Sequence, residues 1–154
     1  MSNKGIIAHI FDLKAEYHNI KDMIDVDPDN AQGINFQPMY YPDLLRIRKD
    51  LSCLSSDLAK ETSSYFRKWK KIKAQRETQK YLKQSELMKE GVKVTQAEAQ
   101  AKQFSCNLLE EEAVNEGLYK TGDLILKQVN EILSSVKQDI SVIRKEYESI
   151  NDIQ

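Results

Sequence analysis

The side chains with the clearest chemical potential in this chain are cations. Phe66, Trp69, Lys73, Arg76, Lys80 and Lys83 follow one another by three or four positions. On a helix that spacing sets two aromatics and then four cations along one face, while Arg67, Lys70 and Lys71 crowd the neighbouring faces. Lysine and arginine neutralise phosphates and so supply affinity for nucleic acid that does not depend on base sequence. Aromatic rings beside such a groove stack unpaired bases, worth about 1–3 kcal/mol each. The candidate nucleic-acid-binding set is therefore Arg67, Lys70, Lys71, Lys73, Arg76, Lys80 and Lys83. A competing reading makes Phe66 and Trp69 core residues and the lysines a solvated face, with Glu77, Glu86 and Glu90 diluting the field. Trp69 continues the apolar stripe of Leu58 and Tyr65, which assigns it to the core rather than to a stacking platform.

Other chemistries find little to work with. His9 and His18 share a short helix without a cysteine partner or HExxH spacing, so no metal site is expected. There is no P-loop, GxGxxG or GxSxG pattern, so no catalytic residue and no cofactor is assigned, and the chain reads as a non-enzyme. Glu110, Glu111 and Glu112 read as a solvated helical face, and Cys53, between Leu51 and Leu54, as a small buried hydrophobe. Cys53 and Cys106 are the only cysteines and form no CxxC, which suits a reduced, intracellular protein. Asp25, Asp27 and Asp29 open like a calcium-binding EF-hand loop. Asn30 then stands where that loop needs glycine, and Phe36 where it needs a bidentate acid, so plain turn chemistry is the better reading.

These residues must be held by helices. Hydrophobic content of 40%, charged content of 31%, five glycines and three prolines in 154 residues favour long, solvent-washed helices, and strand-like alternation is nearly absent. The expected fold is all-α: a single domain, an elongated helical bundle with a long central helix and a protruding antiparallel helical hairpin. A first helix spans residues 4–24, where Ile6, Ile10, Leu13, Tyr17, Ile20 and Ile24 alternate steps of four and three as a heptad seam. Residues 25–42 form a loop interrupted by Pro28, Gly33, Pro38 and Pro42 and tacked down by Phe36, Met39, Tyr40 and Tyr41. The long helix covers 43–90, with Pro42 at its start and no glycine or proline before Gly91. Its first half carries Leu44, Ile47, Leu51, Leu54, Leu58, Tyr65, Trp69 and Ile72 at helical spacing, with Thr62 filling one gap.

Past Ile72 the long helix is polar nearly all round. Tyr81, Leu82, Leu87 and Met88 make no continuous stripe, which predicts an arm. Gly91 caps that arm, and Thr95 with Glu98 reads as a capping box restarting the chain as a return helix, 95–116. Ala97, Ala99 and Ala101 would let the two arms approach closely. Gly117 and Gly122 each cost about 1 kcal/mol relative to alanine inside a helix, so a kink or break is expected between Glu116 and Asp123. A final helix, 123–150, bears Ile125, Val129, Ile132, Val136, Ile140, Ile143, Tyr147 and Ile150 as a near-heptad seam. That seam either completes the core or forms an oligomerisation surface in the manner of a coiled coil.

The net charge of -1 conceals an asymmetry: residues 67–93 hold ten Lys/Arg against three Glu, and residues 110–154 hold ten acids against five bases. Segregated charge suits a polyanion partner or basic–acidic contact between subunits. No run of 18 apolar residues occurs, and the apolar stretch from Ile6 to Phe11 is short and interrupted by His9, which predicts a cytoplasmic protein without a membrane partner.

From Phe66-Arg67-Lys68-Trp69 to about Ile143 the chain resembles the phage recombination mediators of the UvsY type. The likeness consists of a lysine-rich helix containing a tryptophan (KWKKIKAQR), a glycine-containing turn, a Thr/acidic restart (TQAEAQ) and an amphipathic C-terminal helix. The resemblance implies a helical protein that forms rings through its C-terminal helices, binds single-stranded DNA on basic residues of the long helix and helps load a recombinase onto it. It implies Lys73 and Arg76 as the DNA-contacting pair, Lys70, Lys71 and Lys80 in support, and residues 124–150 as the assembly helix. A recombinase or a single-stranded-DNA-binding protein would be a further partner, and the host cytoplasm the location. The basic pair is spaced Lys-x-x-Arg, and the first 40 residues have no counterpart. Without the resemblance, the seams and hairpin alone equally describe a structural or protein-interaction module that assembles with itself or captures an acidic partner.

Overall fold

The computed structural model describes residues 3–25 and 40–151. Among them the fold is all-α, a helical bundle of α1 (Asn3–Asp25), α2 (Tyr41–Lys89), α3 (Val94–Phe104) and α4 (Cys106–Asn151), with α2 the long central helix. The expected proline-rich loop falls almost wholly on residues 26–39, outside the described residues, and Asp27, Asp29, Phe36 and Met39 fall there too, while Asp25 ends α1. Pro42 sits in the first turn of α2, where its missing N–H costs nothing. The chain sorts into two compact units, one of Met1–Ala59 with Leu124–Gln154 and one of Lys60–Asp123.

The first unit is built from heptad spacing. Ile6, Ile10, Leu13, Tyr17 and Ile20 of α1, Leu44, Ile47, Leu51, Leu54 and Leu58 of α2, and Ile125, Val129, Ile132, Leu133, Val136, Ile140 and Ile143 of α4 form one core. Steps of three and four keep each apolar stripe on one side of its helix, so three stripes close on one another. Of the two uses left open for the seam on α4, Ile125, Val129, Ile132, Val136, Ile140 and Ile143 serve this core, each 8% exposed or less. The expected assembly face is thus an internal face over those six positions. The side chains of Tyr147, Ile150 and Ile24 lie outside the described ones. Tyr17, only 2% exposed, donates its hydroxyl hydrogen to Asp139 Oδ2 at 2.7 Å, so its polar end is satisfied inside the apolar seam. Cys53 is exposed, contrary to expectation. It stands two positions past Leu51 and one short of Leu54, which turns it to the opposite side of α2 from the buried leucines.

The second unit folds the end of α2 back on itself at Gly91. Gly91 takes φ +86°, Gly91 N–H donates to Met88 O at 3.1 Å, and Val92 N–H donates to Leu87 O at 3.0 Å. That pair of bonds is a Schellman cap, and only glycine adopts its left-handed residue without steric cost. The restart differs from the capping box. Lys93 occupies the N-cap with no side-chain hydrogen bond, Ala97 N–H closes the first turn on Lys93 O at 2.9 Å, and Thr95 is already inside α3. Ala97 and Ala101 are fully buried, as close helix approach requires, while Ala99 is exposed.

The helix break also lies elsewhere than expected. It falls on Ser105, whose φ of -94° and ψ of 11° leave the helical region and whose hydroxyl donates to Lys102 O at 3.1 Å. Serine offers the backbone this local alternative to the helical ladder. By contrast α4 runs unbroken through Gly117 and Gly122. A Cβ on Gly122 would lie 2.3 Å from Thr62 Oγ1 and 3.1 Å from Thr62 Cγ2, so this glycine lets α4 approach α2 rather than ending a helix. A Cβ on Gly117 meets nothing within 4 Å.

The two glycines therefore respond oppositely to alanine. Gly117→Ala is expected to raise unfolding stability by about 0.5–1 kcal/mol, and Gly122→Ala to lower it by about 1–3 kcal/mol. Thr62→Ala introduced beside Gly122→Ala recovers part of that loss. Urea unfolding of the three variants checks this, and equal effects of the two glycine substitutions would contradict it.

Candidate nucleic-acid interface

All seven predicted binding cations lie on the part of α2 that belongs to the second unit, and the structure divides them into two sets. Arg76, Lys80 and Lys83 are paired with acids. Arg76 Nε donates to Glu112 Oε2 of α4 at 2.6 Å, with only 21% and 10% of the two side chains exposed. Lys80 Nζ lies 3.3 Å from Glu98 Oε1 of α3, and Lys83 Nζ lies 2.8 Å from Glu86 Oε2 one turn along α2. The hydrogen bond that Lys83 donates to Glu86 holds its ammonium above the ordinary lysine pKa. Two of these pairs cross from α2 to the returning chain, so their charge is engaged in closing the hairpin. Arg67, Lys70, Lys71 and Lys73, joined by Lys68, make up the other set. None of these five has a carboxylate partner among the described residues, and all but the half-buried Lys73 are exposed.

One member of the unpaired set, Lys70, sits on an aromatic cluster. Trp69 stacks on Tyr119 of α4 with ring centroids 5.8 Å apart and planes 18° apart. Phe66 meets Trp69 edge-on at 5.9 Å and Tyr119 at 5.1 Å with a 54° tilt. Offset and edge-to-face pairs of this kind add about 0.5–1.5 kcal/mol each beyond the area they bury. Lys70 Nζ sits 4.3 Å from the Trp69 centroid and 5.4 Å from that of Phe66, over both rings. Trp69 is half-buried, in keeping with its place on the apolar stripe, and its Nε1–H is buried without an acceptor among the described residues. Phe66 remains 38% exposed.

Three contributors escaped the sequence reading. Glu112 is 7% exposed and paired, whereas Glu110 and Glu111 are exposed, so the expected solvated run of three glutamates holds for two of them. Glu98 binds Lys80 instead of capping a helix. Tyr119, expected in a break, is a helical residue in contact with Trp69. One signal was available for Tyr119, its place one turn before Gly122, which admits a close neighbour. Nothing local distinguishes Glu112 from the two glutamates before it.

Beyond Ile72, Leu87 is buried while Tyr81, Leu82 and Met88 are 70%, 60% and 46% exposed. Phe104 of α3 is 60% exposed and lines a shallow groove with Leu82, with Lys83 Nζ 5.8 Å from its ring centroid. Among the described residues no group of three or more His, Cys, Asp or Glu is gathered to hold a metal ion, and no helix is long and apolar enough to cross a membrane.

The fold and this surface define a class: an all-helical protein whose second unit is a hairpin clasped by acids, with a bare basic stretch beside an aromatic cluster. Comparison with protein-family models, curated proteins and solved structures finds no match.

Pairing separates structural cations from available ones. Replacing Arg76 with methionine leaves Glu112 buried without its charged donor and is expected to cost about 1.5–3 kcal/mol of stability. Lys71→Met, on the open side of α2, should stay within about 0.5 kcal/mol. Denaturant midpoints of the two variants decide, and similar midpoints would contradict the assignment.

Proposed function

We propose that this protein is a non-enzymatic accessory protein that binds single-stranded nucleic acid through the basic, aromatic-edged stretch at 67–73. The observation that carries the reading is the concentration, in seven residues, of five cations without a carboxylate partner among the described residues, beside a partly exposed ring. Unpaired surface cations are free to neutralise phosphates, and the release of the cations condensed on the nucleic acid drives binding. Six residue steps span about 9 Å of helix axis, so one copy engages only a few phosphates. Affinity then depends on several copies acting together. Assembly is part of the proposal, through a surface other than the seam already used in the core. The resemblance to the UvsY-type mediators supports DNA as the strand and recombinase loading as the task. Relative to that resemblance, the proposed contact moves toward the start of the basic run: Lys73 stays, and Arg76 becomes a clasp residue.

A second reading has its own support. Exposed Tyr81, Leu82, Met88 and Phe104 in the second unit suit a protein-interaction module with an apolar contact. Native mass with and without an oligonucleotide separates the two, since a module of that kind keeps one mass in both conditions.

Titration of a labelled single strand across a salt series tests the main reading. Each phosphate neutralised on a single strand contributes about -0.7 to the slope of log K against log salt. Lys70→Ala/Lys71→Ala/Lys73→Ala should therefore flatten the slope by about 2, and Lys80→Ala/Lys83→Ala should change it far less. Equal slopes for both variants, or no salt-dependent binding by the parent protein, would refute the proposal.

A further inference from the structure

We infer that Phe66 is a stacking platform for an unpaired nucleobase, with Lys70 and Lys73 receiving the phosphates of the same strand. This rests on the single-strand reading and specifies which ligand atoms the surface holds besides phosphate.

The three rings of the cluster are not equivalent. Trp69 and Tyr119 lie nearly parallel and occupy one another's faces, and both are half-buried. Phe66 meets both neighbours at large angles, 69° and 54°, so neither lies flat on its ring, and 38% of the residue is open to solvent. The pair behind it fixes the ring, so little rotamer freedom remains to be lost when a flat ligand arrives. That is the pre-organisation a stacking site needs.

Cation placement extends the argument. Phe66, Lys70 and Lys73 fall at steps of four and three, along one line of α2. A base on Phe66 thus places its strand beside ammonium groups about 6 Å and about 10 Å further along the axis. Lys70 now lies over Phe66, and a base would have to displace it. The Phe66 contact, an exposed cation–π pair, corresponds to roughly 2- to 5-fold in an equilibrium constant, and a base–aromatic stack to roughly 5- to 150-fold. The stack outweighs that one contact, and Lys70 keeps its closer place over Trp69 while turning toward a phosphate. The Trp69 N–H is buried and does not reach a base edge, and stacking itself tolerates any base, so the site should accept bases with little sequence preference.

The test compares a thymidine oligonucleotide with an abasic strand of equal length, which carries the same phosphates and no bases. Binding is followed by anisotropy of a strand label and by fluorescence of Trp69, the only tryptophan. The parent protein should bind the thymidine strand about 5- to 150-fold more tightly than the abasic strand, with a change in Trp69 emission on the thymidine strand alone. Phe66→Leu should abolish the preference for the thymidine strand over the abasic strand, and Phe66→Tyr should retain it. Equal, salt-dependent binding of both strands by the parent protein overturns the stacking site and leaves the basic surface standing. Absence of salt-dependent binding to either strand overturns both. The parent comparison decides the matter even where Phe66→Leu fails to fold, which far-UV circular dichroism reports.

Discussion

The second unit depends on how closely α4 can approach α2 at Thr62 and Gly122. A Cβ on residue 122 would overlap the threonine hydroxyl, so the Thr62 side chain packs directly on the α4 backbone. Closeness there has consequences along α4. One turn back, Tyr119 comes within stacking distance of Trp69, and further back Glu112 reaches Arg76. Ala97 and Ala101 of α3 extend the use of small, buried side chains toward the hairpin turn. A helix surface with little apolar bulk is thus held by proximity, aromatic contact and ion pairs in place of a leucine core.

That arrangement sorts the positive charge of α2. Cations facing the returning chain meet carboxylates, and their desolvation is offset by a hydrogen-bonded partner. Cations at 67–73 have no carboxylate within ion-pair distance among the described residues and keep their charge available to solvent. Net charge alone could not make this distinction, because Arg76 and Lys71 count equally in it. The same logic relocates the expected interface: the most buried ion pair includes one of the two residues that the resemblance to recombination mediators singled out. In the first unit the α4 seam is likewise used within the chain, facing α1 and α2.

Local periodicity made the helical class legible, because isoleucines and leucines three and four apart have one sensible use on a helix. Gly91 was legible for an equally local reason, since a left-handed residue ending a long helix is a glycine position. What stayed hidden depends on partners distant in sequence. Gly122 carries the composition of a helix breaker and becomes a packing residue only because Thr62, sixty positions earlier, lies against it. Glu112 differs from Glu110 and Glu111 by its direction around α4, which matters only once Arg76 is known to stand opposite. The break at Ser105 carries no glycine or proline to announce it. Cys53 could have been placed from the sequence, since its offset from Leu51 and Leu54 already points it outward.

The central claim is that carboxylate pairing divides the lysines of α2 into structural and ligand-binding sets. Lysine acetylation footprinting, resolved by residue with and without a single-stranded oligonucleotide, tests it most directly. The account predicts protection at Lys68, Lys70, Lys71 and Lys73, and little change at Lys80 and Lys83. Protection spread evenly over the six, or concentrated at Lys80 and Lys83, would contradict it.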